Sequence, residues 1–195
     1  GDATQVIALE PNSLDDVLED IQRVADALGQ PRRGTGLVRA IRDAMDDIIE
    51  TAHTLQHAPS VAVIEWIDPL MAAGNWMPEL VAMAGGRNLF GTAGKHSPWL
   101  EWEALCSADP DVLVVIPCGY DIQTTLKEMP SMTTRPGWAD LSAVKNDRVY
   151  VADGNAYFNR PGPRLVESLE ILAQILHPTV FCFQYEGSGW VRWPA

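Results

Sequence analysis

The chain has 195 residues, of which 47% are apolar and 21% charged, and this balance excludes a wholly disordered chain. Fourteen Lys and Arg against 26 Asp and Glu give a net charge of −12, so no basic surface is available for a nucleic-acid partner. No apolar run reaches the roughly 18 residues that a membrane-spanning helix needs, and we expect no direct insertion into a membrane.

The first elements in chain order are one short strand and two helices. Residues 6–9 (VIAL) are an apolar run that predicts a buried strand. Ser13 is a helix-capping residue type, and an apolar face then repeats from Leu14 until Gly29 stops the helix. A second, long helix is predicted over residues 37–57. Because a lone strand needs partners, this beginning is typical of the last part of a lobe whose other strands are missing.

From residue 60 onward, predicted strands alternate with predicted helices. The strands cover residues 61–66, 112–116 and 148–151, and the helices cover residues 78–84, 102–108, 122–128 and 164–176. Runs such as VLVVI are apolar on both faces, which indicates parallel strands that are covered on both sides. We therefore predict an α/β fold, with a mostly parallel sheet flanked by helices.

Aromatic residues recur where predicted strands end and where helices begin. The set comprises Trp66, Trp76, Trp99, Tyr120 and Tyr157. Because the carboxyl ends of parallel strands meet at one edge of a sheet, these rings are predicted to face a single large, flat ligand. For Trp66 and Trp102 the alternative is a place in the core. Arg160, a loop cation close to Tyr157, is predicted to hold a carboxylate or phosphate of the ligand.

The three cysteines are Cys106, Cys118 and Cys182, an odd number without CxxC spacing. The sequence therefore predicts neither a disulfide framework nor a zinc ribbon. Cys118 follows a buried strand in the turn PCGY, where open α/β sheets place their sites. A thiol-dependent enzyme or a metal-binding protein that uses Cys118 is the alternative function, and catalysis requires a base within reach. His53 and His57 lie four residues apart without a third ligand, and we expect them to be solvated.

Four segments carry a resemblance to a known family. They are LVAMAGGRNLF (residues 80–90), WEALCSADPDVLVV (102–115), WADLSAVKNDRVYVAD (138–153) and NAYFNRPGPR (155–164). Together and in this order they resemble the substrate-binding proteins of ABC importers for cobalamin and ferric siderophores. In that family, two lobes are joined by one long rigid helix.

The resemblance implies a division of the chain into four parts. Residues 1–33 correspond to a remnant of the N-terminal lobe (strand plus helix), 34–59 to the long connecting helix, 60–178 to the C-terminal lobe, and 179–195 to an aromatic C-terminal tail. The opening half of the first lobe, which carries one wall of the family's ligand site, has no counterpart in the chain. The family also implies the periplasm or the cell envelope, although no signal peptide is visible in this sequence.

The resemblance further implies a binding function without catalysis. The transported ligand is expected to be a cobalamin-like compound or a ferric chelate, with no covalently bound cofactor, and it is delivered to a membrane permease. Trp99, Tyr157 and Arg160 match the family's loop residues near the ligand. The expected ligand-binding residues are Trp66, Trp76, Trp99, Cys118, Tyr120, Asn155, Tyr157 and Arg160.

Two further expectations concern partners. Glu103 begins the motif E-x-L-x-x-x-x-P-D and matches the glutamate with which the family's second lobe pairs with permease arginines. Its alternative role is that of an ordinary first-turn glutamate, stabilised by the helix dipole. A lobe without its first half could also form a homodimer through the surface left by the missing strands. The turn PCGY departs from the cobalamin binders, so the sequence leaves the identity of the ligand open.

Overall fold

The computed structural model describes Thr4 and residues 6–194 of the chain. Helix α1 (Leu14–Ala27) begins at a capping box, in which Ser13 Oγ accepts the N–H of Asp16 and Asp16 Oδ2 accepts the N–H of Ser13. Helix α2 (Pro31–His53) begins at a proline, whose fixed φ suits the first turn of a helix. The two helices pack against each other and are followed by the sheet.

Over the described residues the sheet has six strands, and its centre is parallel. The strands are β1 (Ser60–Trp66), β2 (Met71–Ala72), β3 (Arg87–Asn88), β4 (Val112–Val115), β5 (Val149–Ala152) and β6 (Trp190–Arg192). Their order is β2-β1-β4-β5-β6, with β3 beside the first residues of β1. Strands β3, β1, β4 and β5 are parallel, whereas β2 and β6 are antiparallel to their neighbours. The predicted α/β fold with a mostly parallel sheet is confirmed.

Helices cover both faces of the sheet. The remaining helices are α3 (Met77–Met83), α4 (Trp102–Ala108), α5 (Ile122–Glu128), α6 (Pro130–Thr133), α7 (Ser142–Lys145) and α8 (Leu165–Leu176). Side chains of β1 alternate between two cores: Val61 and Val63 pack with α1, α2, α3 and α8, whereas Ala62 and Ile64 pack with the helices between α4 and α7. Both cores are buried, as the apolar runs of β1 and β4 predict.

The segment of residues 6–9 does not form the predicted strand, and that prediction is wrong for the described chain. No described strand lies beside it, so its backbone groups have no ladder to join. Instead, the carbonyl of Ala8 accepts a hydrogen bond from Arg23 Nη2 at 3.0 Å. Val6 and Leu9 are 86% and 43% exposed, respectively. Residues 6–9 therefore have the apolar pattern of a strand, but no described strand pairs with them.

The long helix lies near its predicted place but has different ends. It begins at Pro31, not at residue 34 or 37, and it ends at His53 rather than at residue 57. Gly34 and Gly36, which precede the predicted start at residue 37, lie inside the helix. A Cβ on Gly34 would be 2.5 Å from Cβ of Ala25, so this glycine allows α1 and α2 to approach closely.

The last segment of the chain joins the sheet. Residues 190–192 form β6, which pairs with β5, and the ring of Trp190 lies 5.5 Å from the ring of Tyr150 at 74°. Tyr185 donates a hydrogen bond from its hydroxyl to Glu170 of α8. Through its described residues, which end at 194, the predicted tail at 179–195 is thus attached to β5 and α8. Among the described residues, no helix combines the length and the apolar character that crossing a membrane requires.

Candidate ligand-binding site

Strand β1 and the turn after β4 bring two aromatic side chains together. Trp66 is the last residue of β1, and Tyr120 ends the turn that follows β4. Their ring centroids lie 5.3 Å apart at an interplanar angle of 57°, and both side chains are partly exposed. The indole N–H of Trp66 donates to the carbonyl of Asp68 at 3.0 Å, which fixes the ring. This pair stands at the carboxyl edge of the sheet, as predicted from the ends of the strands.

The loop after β5 joins the same edge through backbone hydrogen bonds. The N–H of Asn155 donates to the carbonyl of Tyr120 at 3.1 Å. Arg160 then donates from Nε to the carbonyl of Asn155 at 2.9 Å and from Nη2 to its Oδ1 at 2.7 Å. The guanidinium is exposed and is oriented by both bonds, so its outer N–H groups can meet an anionic group of a ligand.

Two residues lock the loop after β5 onto the turn after β4. Asn159 donates from Nδ2 to the carbonyl of Ile116 at 3.0 Å. Gly154 begins a π-helical turn (Gly154–Phe158), and a Cβ at this position would lie 2.3 Å from the carbonyl oxygen of Pro117. The close approach leaves no room for a side chain, so the two loops act as one rigid unit.

Cys118 lies in the same turn, and its surroundings disfavour the thiolate. Partial removal of water around the sulfur raises the pKa of the Cys118 thiol, and the carboxylate of Glu65 raises it further. Arg160 acts in the opposite direction and does not reverse the shift. Glu65 itself accepts a hydrogen bond from Ser97 Oγ at 2.7 Å. A protonated thiol is a poor nucleophile, so the raised pKa disfavours the alternative function at Cys118.

Trp99 lies on the far side of β2 from Trp66. Met71 of β2 is paired with Trp66 on one side and with Trp99 on the other, in antiparallel register. Adjacent strands lie about 4.8 Å apart, so the backbones of Trp66 and Trp99 are separated by roughly 10 Å. Trp99 is 68% exposed. We call the row formed by Trp99, Met71, Trp66 and Tyr120 the aromatic wall.

Two predicted ligand residues lie elsewhere. Trp76 is only 7% exposed, and its indole N–H donates to the carbonyl of Phe158 at 3.1 Å, so it belongs to the core and that prediction is wrong. The ring of Tyr157 packs edge-on against Tyr185 at 5.8 Å and beneath the guanidinium of Arg164 at 6.0 Å. These contacts hold Tyr157 against the C-terminal segment rather than on the aromatic wall.

Glu103 lies on the surface in the first turn of α4, beside a shallow groove of about 540 Å³. The groove is also lined by Trp99, Glu101 and Arg135, whose guanidinium lies 5.4 Å from the ring centroid of Trp102. Glu103 is exposed, as pairing with a permease would require. Whether a permease uses it stays a prediction.

The aromatic wall is open rather than enclosed. The cavity between Trp66 and Tyr120 has a volume of only about 60 Å³, well below the 300–1,000 Å³ of ordinary ligand pockets. In the part of the chain that the structure describes, no three His, Cys, Asp or Glu side chains come together as a metal site. His53 and His57 accordingly gain no third ligand there. The described residues can hold one face of a flat ligand by stacking and by one cation.

The aromatic wall lies at the carboxyl edge of a mostly parallel sheet, which is where open α/β folds place their binding sites. Residues 2–156 match the family model described as "Periplasmic binding protein". The chain belongs to this family, which confirms the resemblance found in the sequence.

Relatives and solved structures agree with this assignment. An uncharacterised ABC transporter substrate-binding lipoprotein, YvrC of Bacillus subtilis (strain 168), is 26% identical over 179 residues, which are 88% of this chain and 53% of that protein. The vitamin B12-binding protein of Vibrio cholerae is 22% identical over 83% of this chain and 55% of its own length. The chain thus spans about half the length of the curated relatives it matches.

Among solved structures, Staphylococcus aureus IsdE, complexed with heme, has a TM-score of 0.77 and 17% identity, covering 87% of this chain and 67% of its own. The periplasmic heme-binding protein RhuT from Roseiflexus sp. RS-1 has a TM-score of 0.71 and 26% identity, covering 87% of this chain and 65% of its own. Both likenesses support the fold of the described chain.

Proposed function

We propose that this chain carries one ligand-binding wall of the substrate-binding component of an ABC importer. The transported ligand is a flat metal compound, either cobalamin-like or a ferric chelate such as haem, and binding involves no catalysis. The observation that carries the proposal is the aromatic wall, in which the backbones of Trp66 and Trp99 lie about 10 Å apart and the ring of Trp66 contacts that of Tyr120 at the carboxyl edge of the sheet. The named ligands of the relatives support this class of ligand.

The chemistry of the wall suits a large conjugated ring. Trp66, Tyr120 and Trp99 present apolar faces, which bind a flat ligand by burial and stacking. Arg160, held by Asn155, faces the same edge and pairs with a carboxylate or phosphate on the periphery of the ligand. Stacking sets the affinity, and the single cation sets the orientation of the ligand.

Delivery of the ligand requires a second surface, for which we propose Glu103. Its carboxylate is exposed, and the neighbouring groove has three acidic side chains, Asp68, Glu101 and Glu103, against one arginine. An acidic surface of this kind favours encounter with a cationic permease, because complementary charge raises the rate of association. A protein that docks on a permease in this way is expected in the periplasm or at the cell envelope, as the family description also suggests.

Fluorescence quenching tests the ligand class. Cobalamin, haem and a ferric hydroxamate are titrated in parallel against the tryptophan emission of the chain. We expect quenching with a Kd of roughly micromolar or weaker for at least one of them, since a single open wall offsets only part of the cost of association. Quenching by none of the three at their solubility limits contradicts the proposal.

A matched pair of variants locates the binding surface. Tyr120→Ala should weaken binding about tenfold, because it removes a stacking face and the partner of Trp66. Tyr157→Ala serves as the control, since its ring packs on Tyr185 instead, and it should leave the affinity unchanged. Circular dichroism verifies that both variants are folded. Equal losses in both would place the ligand elsewhere.

A further inference from the structure

Glu65 is a charged residue beside the aromatic wall that the function proposed above does not use. Its two neighbours in β1 pair with consecutive residues of β2, Met71 and Ala72. Glu65 is therefore the one extra residue of β1 in this antiparallel ladder. An extra residue of this kind is a β-bulge, and bulges redirect a side chain, often next to a binding site. Glu65 is partly exposed near the carboxyl end of β1.

Ser97 fixes the carboxylate of Glu65. Ser97 is only 7% exposed, and its Oγ donates to Glu65 Oε2 at 2.7 Å while it accepts the N–H of Gly74 at 3.0 Å. The single hydroxyl proton of Ser97 is thus committed to Glu65. Oε1 of Glu65 accepts no hydrogen bond from the part of the chain that the structure describes, and it is not a buried atom. One carboxylate oxygen is therefore oriented, and the other is available to a donor on a ligand.

Arg160 supplies the opposite charge at the same edge. Glu65 and Arg160 both act on the Cys118 thiol, whose pKa the carboxylate raises and the guanidinium lowers. The N–H of Cys118 also donates to the carbonyl of Glu65 at 3.1 Å. Neither charge forms an ion pair with a described residue. The aromatic wall is therefore bordered by one oriented anion and one oriented cation that make no direct ion pair.

The candidate flat ligands differ in what their edges present to these two charges. Haem carries two propionate carboxylates, whereas the edge of cobalamin carries carboxamides and a single phosphodiester. A ligand carboxylate beside Glu65 is destabilised by the like charge and by the loss of its hydrating water. A carboxamide N–H beside Glu65 forms a charge-assisted hydrogen bond instead. Glu65 and Arg160 together thus fit a ligand edge with N–H donors and one anionic group.

We propose that Glu65 is a specificity-determining residue, which accepts an N–H of a ligand carboxamide and disfavours a ligand with a second carboxylate. This inference rests on the proposed function and narrows its ligand to a corrinoid whose edge carries amides. Arg160 receives the one anionic group of the ligand. Ser97 is a positioning residue, which holds the carboxylate of Glu65 in place.

The first measurement compares ligands that differ in one group. Cobalamin and its monocarboxylic acids, in each of which one peripheral carboxamide is hydrolysed, are titrated against the tryptophan emission of the chain. The titrations are made at about 0.15 M salt, where distant charges are screened. At least one of the acids should bind about tenfold more weakly than cobalamin. Equal affinities for cobalamin and all of the acids overturn the proposal.

The second measurement repeats the titrations with Glu65→Gln, which removes the charge but keeps the size of the side chain and an acceptor for Ser97. The variant should bind cobalamin and the disfavoured acid about equally, and its preference for cobalamin over haem should fall by about tenfold. Glu50→Gln makes the same change of charge at an exposed position on α2 and should alter no affinity by more than about twofold. Equal shifts in the two variants would show that net charge sets the preference, and would overturn the proposal.

Failure of this inference can be distinguished from failure of the proposed function. Binding of no ring ligand contradicts the proposed function, and the role of Glu65 with it. Binding of cobalamin and haem with a preference that Glu65→Gln leaves unchanged overturns the role of Glu65 alone. An equal loss of affinity for every ligand does the same, because it would show a merely structural role. The first measurement uses the unaltered chain, so it decides the question even if the variant does not fold.

Discussion

Replacing Gly154 by alanine tests whether the loops after β4 and β5 form one rigid unit. The added Cβ would lie 2.3 Å from the carbonyl oxygen of Pro117 and 2.8 Å from that of Ile116. Ordinary carbon–oxygen contacts are about 3.3 Å or longer, so the overlap is roughly 1 Å and involves backbone atoms that cannot rotate away. Overpacking of this kind costs about 1–3 kcal/mol, and we expect about 3 kcal/mol here. In a chain of this size that lowers the Tm by about 6–12 °C.

The measurement is thermal unfolding followed by circular dichroism, together with ligand titration. Separation of the loops breaks the bond from Asn155 to Tyr120, so ligand binding should weaken as well. Gly36→Ala is the matched control: this glycine lies inside α2 with open space around its Cα, and the change should stabilise the protein by about 0.5–1 kcal/mol. A Tm for Gly154→Ala within about 2 °C of the parent would refute the reasoning.

Three further predictions concern single ionisable residues. Burial lowers the pKa of His177 below 6.5, so the unfolded state binds the proton more tightly and the stability of the protein falls as the pH drops below about 6.5. In urea titrations, His177→Gln should flatten this part of the pH dependence. Identical pH profiles of the variant and the parent would contradict the prediction. Cys118 and Cys182 are both exposed, and the pKa of the Cys118 thiol is raised. Iodoacetamide should therefore alkylate Cys118 at pH 7 no faster than Cys182, as measured by mass spectrometry. Faster alkylation of Cys118 would support the thiol-dependent enzyme instead. Glu103→Arg should abolish transport by the whole protein and leave its ligand affinity unchanged. The control Glu186→Arg, on the C-terminal segment, should change neither transport nor ligand affinity. Loss of ligand binding in Glu103→Arg would place Glu103 in the ligand site.

The central part of the fold could be predicted because its signal is local. The runs that became β1, β4 and β5 are apolar on both faces, and that pattern alone requires cover on both sides. Strands β2, β3 and β6 are two or three residues long, too short to show any periodicity. Residues 6–9 failed for the opposite reason, since their pattern was clear but a strand also needs a partner.

The sequence predicts where along the sheet an aromatic side chain lies, but not the direction in which its ring points. The ends of two strands placed Trp66 and Tyr120 at one edge, and their rings are in contact there. The position of a residue in the sequence does not determine the direction of its side chain. Trp76 was therefore predicted to contact the ligand, although its ring lies in the core. Met71 was missed because its role depends on pairing with Trp66 and Trp99, a non-local contact that no short motif records.

Strand β6 limits how far the chain can be truncated at its C-terminal end. It pairs with β5 through residues 150–152 and thereby occupies hydrogen-bonding groups that would otherwise face water. Truncation at Pro178 removes this cover and leaves β5 as a bare edge of a hydrophobic parallel sheet. Such an edge recruits strands from other molecules. A shortened chain is therefore expected to polymerise, and residues 179–195 are expected to protect the protein from self-association rather than to form a dispensable tail.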